Sequence, residues 1–187
     1  MADIDRAIAE ELAGSASNDE ILKRRADSLA QEETDEQVSN QLSLLLFRIG
    51  SEWYAVRVSD VREIFQEYSV TPIPCVPAFI LGVINIRGEI LSVTDCAAMM
   101  GIGSIAMDGP AVPPAIVVAD ENTVTALVVD EIGDIQDVPI DSVEPPISII
   151  DRAQAQFIAG SVHVGDSMVG LISLDKVLEP VVTGGRH

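Results

Sequence analysis

The chain of 187 residues carries 30 acidic and 11 basic side chains, a formal charge of −19, and 48% of its residues are hydrophobic. This excess of carboxylates argues against nucleic acid, which proteins bind through clustered lysine and arginine, and against docking on an anionic membrane surface. The apolar fraction is large enough for the core of one domain or two small ones. No run approaches the roughly 20 continuous apolar residues of a membrane-spanning helix.

The first 40 residues form a distinct acidic segment, with 11 acids and 4 bases. Two short helical patterns occur in it, DIDRAIAEELA and SNDEILKRRADSLAQEE. We predict an acidic N-terminal extension over residues 1–40, partly helical or disordered, and solvated as a tail. The alternative is a helix that docks on a partner or on the domain itself. The acidic start lacks the basic and then apolar regions of a signal peptide.

The rest of the chain consists of short runs rich in Val and Ile, such as EWYAVRVS, FILGVINI and SMVGLISL, separated by turn residues. Alternation in one run places Tyr54, Val56 and Val58 on one face of a strand. Trp53 and Ala55 fall on the other face. Many short strands at this spacing indicate a barrel or a sandwich, so the predicted fold is mainly β.

Three short helices interrupt the strands. SDVREIFQ at 59–66 has Ser59 as a candidate N-cap. DCAAMMG follows with Asp95 as N-cap and Gly101 at the stop, and Met99 and Met100 are expected to fill the core. A C-terminal helix is predicted over 174–179.

A repeated pattern divides the β-rich region. FILGVINI at 79–86 matches FIAGSVHV at 157–164, and each is followed by a turn, an apolar strand, an aspartate (Asp95, Asp175) and a short helix. Upstream, VSDVREI at 58–64 resembles VDEIGDI at 129–135. Two copies of a small β unit, each marginal alone, predict two small barrels packed across a shared apolar seam. The predicted bounds are about 43–105 and 113–175 within a domain of 41–180, followed by a tail over 181–187.

Residues for catalysis are scarce. His163 alternates with apolar neighbours and is expected to face away from them, and His187 lies in the tail. Cys75 and Cys96 lack metal or redox spacing and are interpreted as buried thiols in a reducing cytoplasm. GIGSIAMDG at 101–109 is interpreted as a mobile loop.

No phosphate-binding or nucleophile-elbow motif occurs. The acids of one region do not match a calcium loop and predict a solvated acidic face: Asp120, Glu121, Asp130, Glu131, Asp134 and Asp137. We therefore predict no metal, no cofactor and no catalytic residue, and interpret the chain as a module that binds other proteins.

Two stretches, FRIGSEWYAVRVSDVREI and TPIPCVPAFILGVINIRGEILSVTD, resemble the CheW family of chemotaxis coupling proteins. The likeness continues through ALVVDEIGDI, FIAGSVHV and MVGLISLDKVL, from Leu42 to about Pro180. It implies two intertwined five-stranded, SH3-like β-barrels. One departure is clear: Asp95-Cys96-Ala97 stands where the family usually has Asp-Leu-Arg.

The resemblance implies a non-enzymatic adaptor that links the cytoplasmic tips of chemoreceptors to the regulatory domain of a CheA histidine kinase at membrane-associated arrays. Other CheW-like domains of the array are further expected partners. The implied receptor- or kinase-binding residues are Val61, Glu63, Ile64, Phe79, Gly82, Arg87 and Gly88. The pathway is left open between flagellar chemotaxis and surface motility or biofilm formation. A sensor that binds a small ligand in the barrel seam, and a hydrolase, are weaker alternatives.

Arg87 is conspicuous because it interrupts an apolar hairpin in a chain with few bases. Gly88 can adopt the positive φ of a tight turn, so the Arg87 side chain would project from a rigid tip. We predict that Arg87 pairs with Glu63 or with a carboxylate on a receptor helix.

Overall fold

The structure is a computed structural model that describes residues 40–109, 111–146 and 152–183. The strands in these ranges are β1 Gln41–Ile49, β2 Glu52–Arg57, β3 Val61–Phe65, β4 Ile80–Ile86, β5 Glu89–Asp95, β6 Ala115–Ala119, β7 Val124–Val128, β8 Glu131–Pro139, β9 Ile158–Val164 and β10 Ser167–Ile172. The α-helices are α1 Cys96–Met100, α2 Arg152–Ala155 and α3 Leu174–Thr183. Short 3-10 turns cover Val58–Asp60 and Ile140–Ser142. Residues 1–39 of the predicted extension and 184–187 of the predicted tail lie outside the described residues.

The strands form two five-stranded sheets that are built in the same way. One has the order β8-β1-β2-β10-β9 and the other β3-β6-β7-β5-β4. Adding or subtracting five from each strand number converts one order into the other, which is the signature of a duplicated unit. Each sheet takes two strands from the opposite repeat, so the sheets do not follow the predicted sequence bounds of 43–105 and 113–175. The prediction of two intertwined five-stranded units in a mainly β fold is confirmed.

Backbone hydrogen bonds repeat at the same offsets as the sequence. The amide of Asp95 donates to the carbonyl of Phe79 at 2.8 Å, and the amide of Ser173 donates to the carbonyl of Phe157 at 2.8 Å. Ser173 is therefore the structural counterpart of Asp95. The prediction of Asp175 in that role was wrong, because Asp175 lies two residues later, in the first turn of α3.

Glycine lets a crossing segment close each sheet. Thr71 exchanges two backbone hydrogen bonds with Val83 on β4, at 2.8 and 2.9 Å. In the other repeat the equivalent crossing pairs Glu144 with Ser161. A Cβ atom on Gly82 would overlap the carbonyl oxygen of Thr71. The glycine of the repeated Phe-Ile-x-Gly pattern is thus required because another backbone passes directly over it.

The core has two parts. A large cluster joins side chains of both sheets, including Phe47 and Val56 from one and Val93 and Leu127 from the other. A smaller cluster fills the interior of the first sheet alone and includes Ala55. Strands β1 and β2 contribute to both clusters, and being covered on both faces explains their nearly continuous apolar sequence. The expected apolar seam is this larger cluster.

The alternation predicted for β2 is found. Tyr54 and Val56 belong to the larger cluster with Val58 packed against it, whereas Ala55 belongs to the smaller cluster with Trp53 packed against it. His163 is exposed beside the buried Val162, as expected.

Local predictions for the helices had mixed outcomes. The helix expected at 59–66 is wrong: a 3-10 turn is followed by strand β3, which pairs antiparallel with β6. Helix α1 matches, since the Asp95 side chain accepts from the Ala98 amide and Gly101 adopts φ 72°. Helix α3 extends past the predicted end, to Thr183. Across the described ranges, no helix is long and apolar enough to cross a membrane.

Candidate functional site

The hairpin that joins β4 and β5 projects one arginine. Its two turn residues, Arg87 and Gly88, have φ values of 51° and 88°. Positive φ at both positions is typical of a type I′ turn, whose twist matches that of the flanking strands. The Asn85 side chain accepts a hydrogen bond from the Gly88 amide at 3.0 Å, which fixes the turn further. Gly88 has the predicted conformation, and Arg87 shares it despite its Cβ.

Two ion pairs connect this hairpin to β3. Arg87 Nη2 lies 2.7 Å from Glu63 Oε1, and Arg62 Nη1 lies 3.3 Å from Glu89 Oε1. Strands β3 and β4 are opposite edges of the same sheet, so the pairs bridge the sheet's two ends. Of the two predicted pairings for Arg87, the structure forms the one within the chain.

A small crevice of about 290 Å³ lies between β3 and the hairpin. We call it the Arg87 crevice. Apolar and charged side chains line it together: Arg62, Glu63, Phe65, Ile86, Arg87, Glu89, Leu91 and Val117. On the same strands, but outside the lining of the crevice, Ile64 is 39% exposed and Ile90 is 69% exposed. The site therefore combines one projecting cation with apolar surface that water still reaches, which suits contact with another protein.

The other predicted site residues have packing roles in the structure. Val61 and Phe79 are half-buried and pack against the larger core cluster. Gly82 is buried beneath the Thr71 crossing. These three do not line the Arg87 crevice, whereas Glu63 and Arg87 do. Their part in binding stays a prediction.

Arg62, Glu89 and Ile90 were not predicted. The clue available in the sequence was the reciprocal charge order, because Arg62-Glu63 on one segment faces Arg87 and Glu89 on the other. Using that clue requires knowing that β3 is a strand at the edge of the sheet.

Asp95, next to the hairpin in sequence, organises the loop at 101–109. The carboxylate is fully buried and accepts from the Ala98 amide at 3.0 Å, the Ser104 hydroxyl at 2.7 Å and the Ile105 amide at 3.0 Å. Ile105 is itself buried. Hydrogen bonds to Asp95 and the buried Ile105 side chain therefore anchor the middle of this segment. The mobility predicted for the loop stays a prediction.

The cysteines differ in environment. Cys96 is fully buried beside Met100, and desolvation raises the pKa of its thiol to about 12, with a smaller contribution from Asp95. Such a thiol is a poor nucleophile. Cys75 is exposed, which corrects the expectation of a second buried thiol.

The acids and histidines of the described residues do not meet the requirements of a metal site. Among the described residues, no group of three or more His, Cys, Asp or Glu side chains is placed to hold a metal ion. The six acids predicted to form a solvated face are all exposed. Two of them also make local contacts: Asp130 accepts from the Gly50 amide at 2.6 Å, and Glu131 pairs with Arg48 at 2.8 Å.

Comparison with known proteins places this architecture. The CheW-like domain model matches residues 43–181. Chemotaxis protein CheW of Rhizobium meliloti is 34% identical over 135 residues, covering 72% of this chain and 85% of the relative. The probable chemotaxis protein CheW of Rhizobium etli is 36% identical over 138 residues, with the same coverage of 72% and 85%. The crystal structure of scaffolding protein TtCheW from Thermoanaerobacter tengcongensis superposes with a TM-score of 0.64 at 29% identity, covering 71% of this chain and 88% of that one. The chain belongs to the CheW-like family of non-enzymatic chemotaxis coupling proteins.

Proposed function

We propose that the chain couples chemoreceptors to a CheA-type histidine kinase, and that the Arg87 crevice, together with the exposed Ile64 and Ile90 on the same strands, is one of the surfaces used. The observation that carries the proposal is the rigid hairpin tip, which holds Arg87 against Glu63 beside accessible apolar surface. Family membership supports the class of partner. The place of action is the cytoplasm, at membrane-associated receptor arrays that also contain other CheW-like domains.

The proposed mechanism is binding without chemistry. A receptor helix lays apolar side chains against Ile64 and Ile90, while Arg87 and Glu63 rearrange to meet its polar groups. Because the type I′ turn already fixes the backbone of Arg87, little conformational entropy is lost there on binding. A second surface of the same chain holds the kinase, so the adaptor strengthens the assembly by engaging two partners at once.

Surrounding acids add selectivity. The chain carries −19 formal charge, so an acidic protein that approaches without complementary groups is repelled. Arg87 is then a local exception, at which a partner carboxylate finds attraction.

The test uses Glu63→Arg, Arg87→Glu and the double exchange in the full chain. Binding to a receptor signalling fragment and to the CheA regulatory domain is measured by calorimetry. Each single change should weaken at least one interaction about tenfold or more, because it leaves a like-charged pair at the contact. The double exchange restores the internal pair but reverses its polarity, so partner binding should stay weak while folding is normal.

Lys176→Glu provides the matched control. Lys176 is a comparably exposed cation on α3 that pairs with Glu179 at 3.1 Å. Its reversal changes the net charge as Arg87→Glu does, and should leave both affinities unchanged. Unaltered binding in both single variants at the Arg87 crevice would refute the proposal.

A further inference from the structure

The duplicated fold contains a second crevice that is equivalent to the Arg87 crevice. It has a volume of about 420 Å³ and is lined by Leu46, Trp53, Glu131, Ile132, Gly133, Asp134, Val164, Ser167 and Val169. We call it the Trp53 crevice. It lies on strands β8, β1, β2, β9 and β10, which are the counterparts of β3, β6, β7, β4 and β5.

Six positions of the two linings correspond at the sequence offsets of the repeat. The apolar walls match, with Leu46 for Val117, Val164 for Ile86 and Val169 for Leu91. The charged positions correspond as well. At an offset of 71, Glu63 corresponds to Asp134 and Arg62 to Gly133; at an offset of 78, Arg87 corresponds to Gly165 and Glu89 to Ser167.

The acid is kept in the second crevice while both arginines are lost. Glu63 has Arg87 at 2.7 Å, whereas Asp134, its counterpart, has no cation within ion-pair distance among the described residues. The counterpart of Arg87 is Gly165, at φ 59°, at the tip of a two-residue turn of the same length. The nearby Arg48 is engaged by Glu131 at 2.8 Å and by the Gly50 carbonyl at 2.6 Å.

Glycine also leaves room for an aromatic wall. A Cβ on Gly133 would lie 2.8 Å from Cζ3 of Trp53, so the indole occupies the space that a side chain would take. In the Arg87 crevice the equivalent position holds Arg62. The second crevice, at about 420 Å³ against about 290 Å³ for the first, is bounded by the Trp53 indole and by the carboxylates of Glu131 and Asp134.

We propose that the Trp53 crevice binds an arginine side chain that a partner protein projects into it. The guanidinium would take the place that Arg87 occupies in the other repeat, facing Asp134. A planar guanidinium suits this lining, because it pairs with a carboxylate through two N–H donors and stacks on aromatic rings. Trp is also the side chain that attracts cations most strongly. The proposal rests on the second repeat and does not depend on the function proposed for Arg87.

The chain has a single tryptophan, and Trp53 lines this crevice, so its fluorescence can follow binding there. Trp53 also borders a neighbouring cavity with Tyr54 and Met168, so the variants described below assign the signal to one of the two. The full chain is titrated with N-acetyl-arginine amide at constant ionic strength. Saturable change in Trp53 emission is expected, with N-acetyl-citrulline amide, a neutral isostere, binding about tenfold more weakly or worse. No saturable change, equal binding of citrulline amide, or equal binding of N-acetyl-lysine amide would each overturn the assignment.

Asp134→Asn should abolish the preference for arginine over citrulline. Asp137→Asn is the matched control, because it removes the same charge from the same strand outside the lining of the crevice. Loss of the preference in both variants would mean that only the overall field attracts the probe, and would overturn the site.

An arginine can also be supplied within the chain. Gly165→Arg places an arginine at the position equivalent to Arg87. The backbone should tolerate this change, because Arg87 itself has a φ of 51° and a Cβ on Gly165 would meet nothing within 4 Å. This variant should change Trp53 emission, and should stop responding to arginine amide. Gly165→Asn is the control for backbone strain, and adding Asp134→Asn to Gly165→Arg should restore the original emission. If Gly165→Arg folds and still binds the probe as before, the proposed place of the guanidinium is wrong.

Discussion

The guanidinium of Arg87 lies 2.7 Å from the carboxylate of Glu63, and this contact joins the tip of one hairpin to the opposite edge strand of the same sheet. The Arg87 side chain is 79% exposed and that of Glu63 33% exposed, so water screens the attraction. Exposed pairs of this kind contribute about 0–1 kcal/mol. The pair therefore sets the position of Arg87 more than it stabilises the fold.

The first prediction concerns the energy of this pair. Arg87→Ala and Glu63→Gln should each lower the free energy of unfolding by less than about 1 kcal/mol, and a double-mutant cycle should give a coupling in the same range. Urea unfolding followed by circular dichroism measures both. A coupling well above that range would show that the pair is a structural element of the barrel, which would weaken its assignment to partner binding.

The second prediction separates two glycines of the same hairpin. Gly82→Ala should destabilise the fold by about 3 kcal/mol or more, for two reasons. The new Cβ overlaps the Thr71 carbonyl, and Gly82 has a φ of 148°, which side chains rarely adopt. Gly88→Ala meets nothing within 4 Å and carries only the strain of positive φ, about 1–2 kcal/mol.

Thermal and urea unfolding of both variants check the order. Gly160→Ala should resemble Gly82→Ala, since its Cβ would lie 2.7 Å from the Glu144 carbonyl oxygen in the equivalent crossing. Equal losses at Gly82 and Gly88 would contradict the role given to the crossing segment.

The duplication could be predicted because short sequence patterns repeat in the two halves of the β-rich region. Phe-Ile-x-Gly recurs with a turn and an apolar strand after it, and the structure gives each copy the same crossing and the same backbone bonds. The exchange of strands between the sheets could not be predicted from the residues themselves. β1 and β2 show alternation and burial on both faces, but nothing in their sequence states that they pair with β8 and β10.

The error at β3 has a physical cause. Val61, Ile64 and Phe65 fit helical spacing behind a capping serine, but Val61, Glu63 and Phe65 equally fit one face of a strand. The segment is a strand because it forms backbone hydrogen bonds with β6, which lies about 50 residues later in the sequence. The family resemblance supplies Glu63, but the helix predicted for this segment conceals Arg62 and its pair with Glu89, which depend on β3 being a strand.

The third prediction concerns Asp95. Asp95→Ala removes a buried acceptor from three donors, the Ala98 and Ile105 amides and the Ser104 hydroxyl. Buried donors left without partners make this loss about 3–5 kcal/mol. Asp95→Ser should lose less, because Ser can still cap α1 as Asp95 does.

Limited proteolysis distinguishes the two effects of Asp95. In Asp95→Ser the segment 101–109 should be cleaved sooner than in the original chain, although α1 is retained. Ser104→Ala is the companion variant that removes only one of the three bonds. Unchanged cleavage in Asp95→Ser would show that apolar packing of Ile105 alone holds the segment.

The fourth prediction uses the contrast between the two thiols. With a disulfide reagent near neutral pH, Cys75 should react quickly because it is exposed, and Cys96 should react only as the protein unfolds. Burial raises the pKa of Cys96 from 9.0 to about 12, so the thiolate is disfavoured in the folded state and free to form in the unfolded one. Its contribution to stability is complete below about pH 9 and is lost as the pH rises toward 12.

The alkaline loss can be measured against a variant. Between about pH 9 and 10 the original chain should lose roughly 1 kcal/mol more unfolding free energy than Cys96→Ala, which has no thiol to ionise. The variant itself should be less stable by about 1 kcal/mol at pH 7, because removing the sulfur leaves a small cavity beside Met100. The interval stops at pH 10 because of Tyr68. Burial raises the pKa of Tyr68 from 10.0 to about 12, so above pH 10 its ionisation lowers the stability of both proteins as well. Parallel curves for the two proteins across this interval would contradict the burial of Cys96.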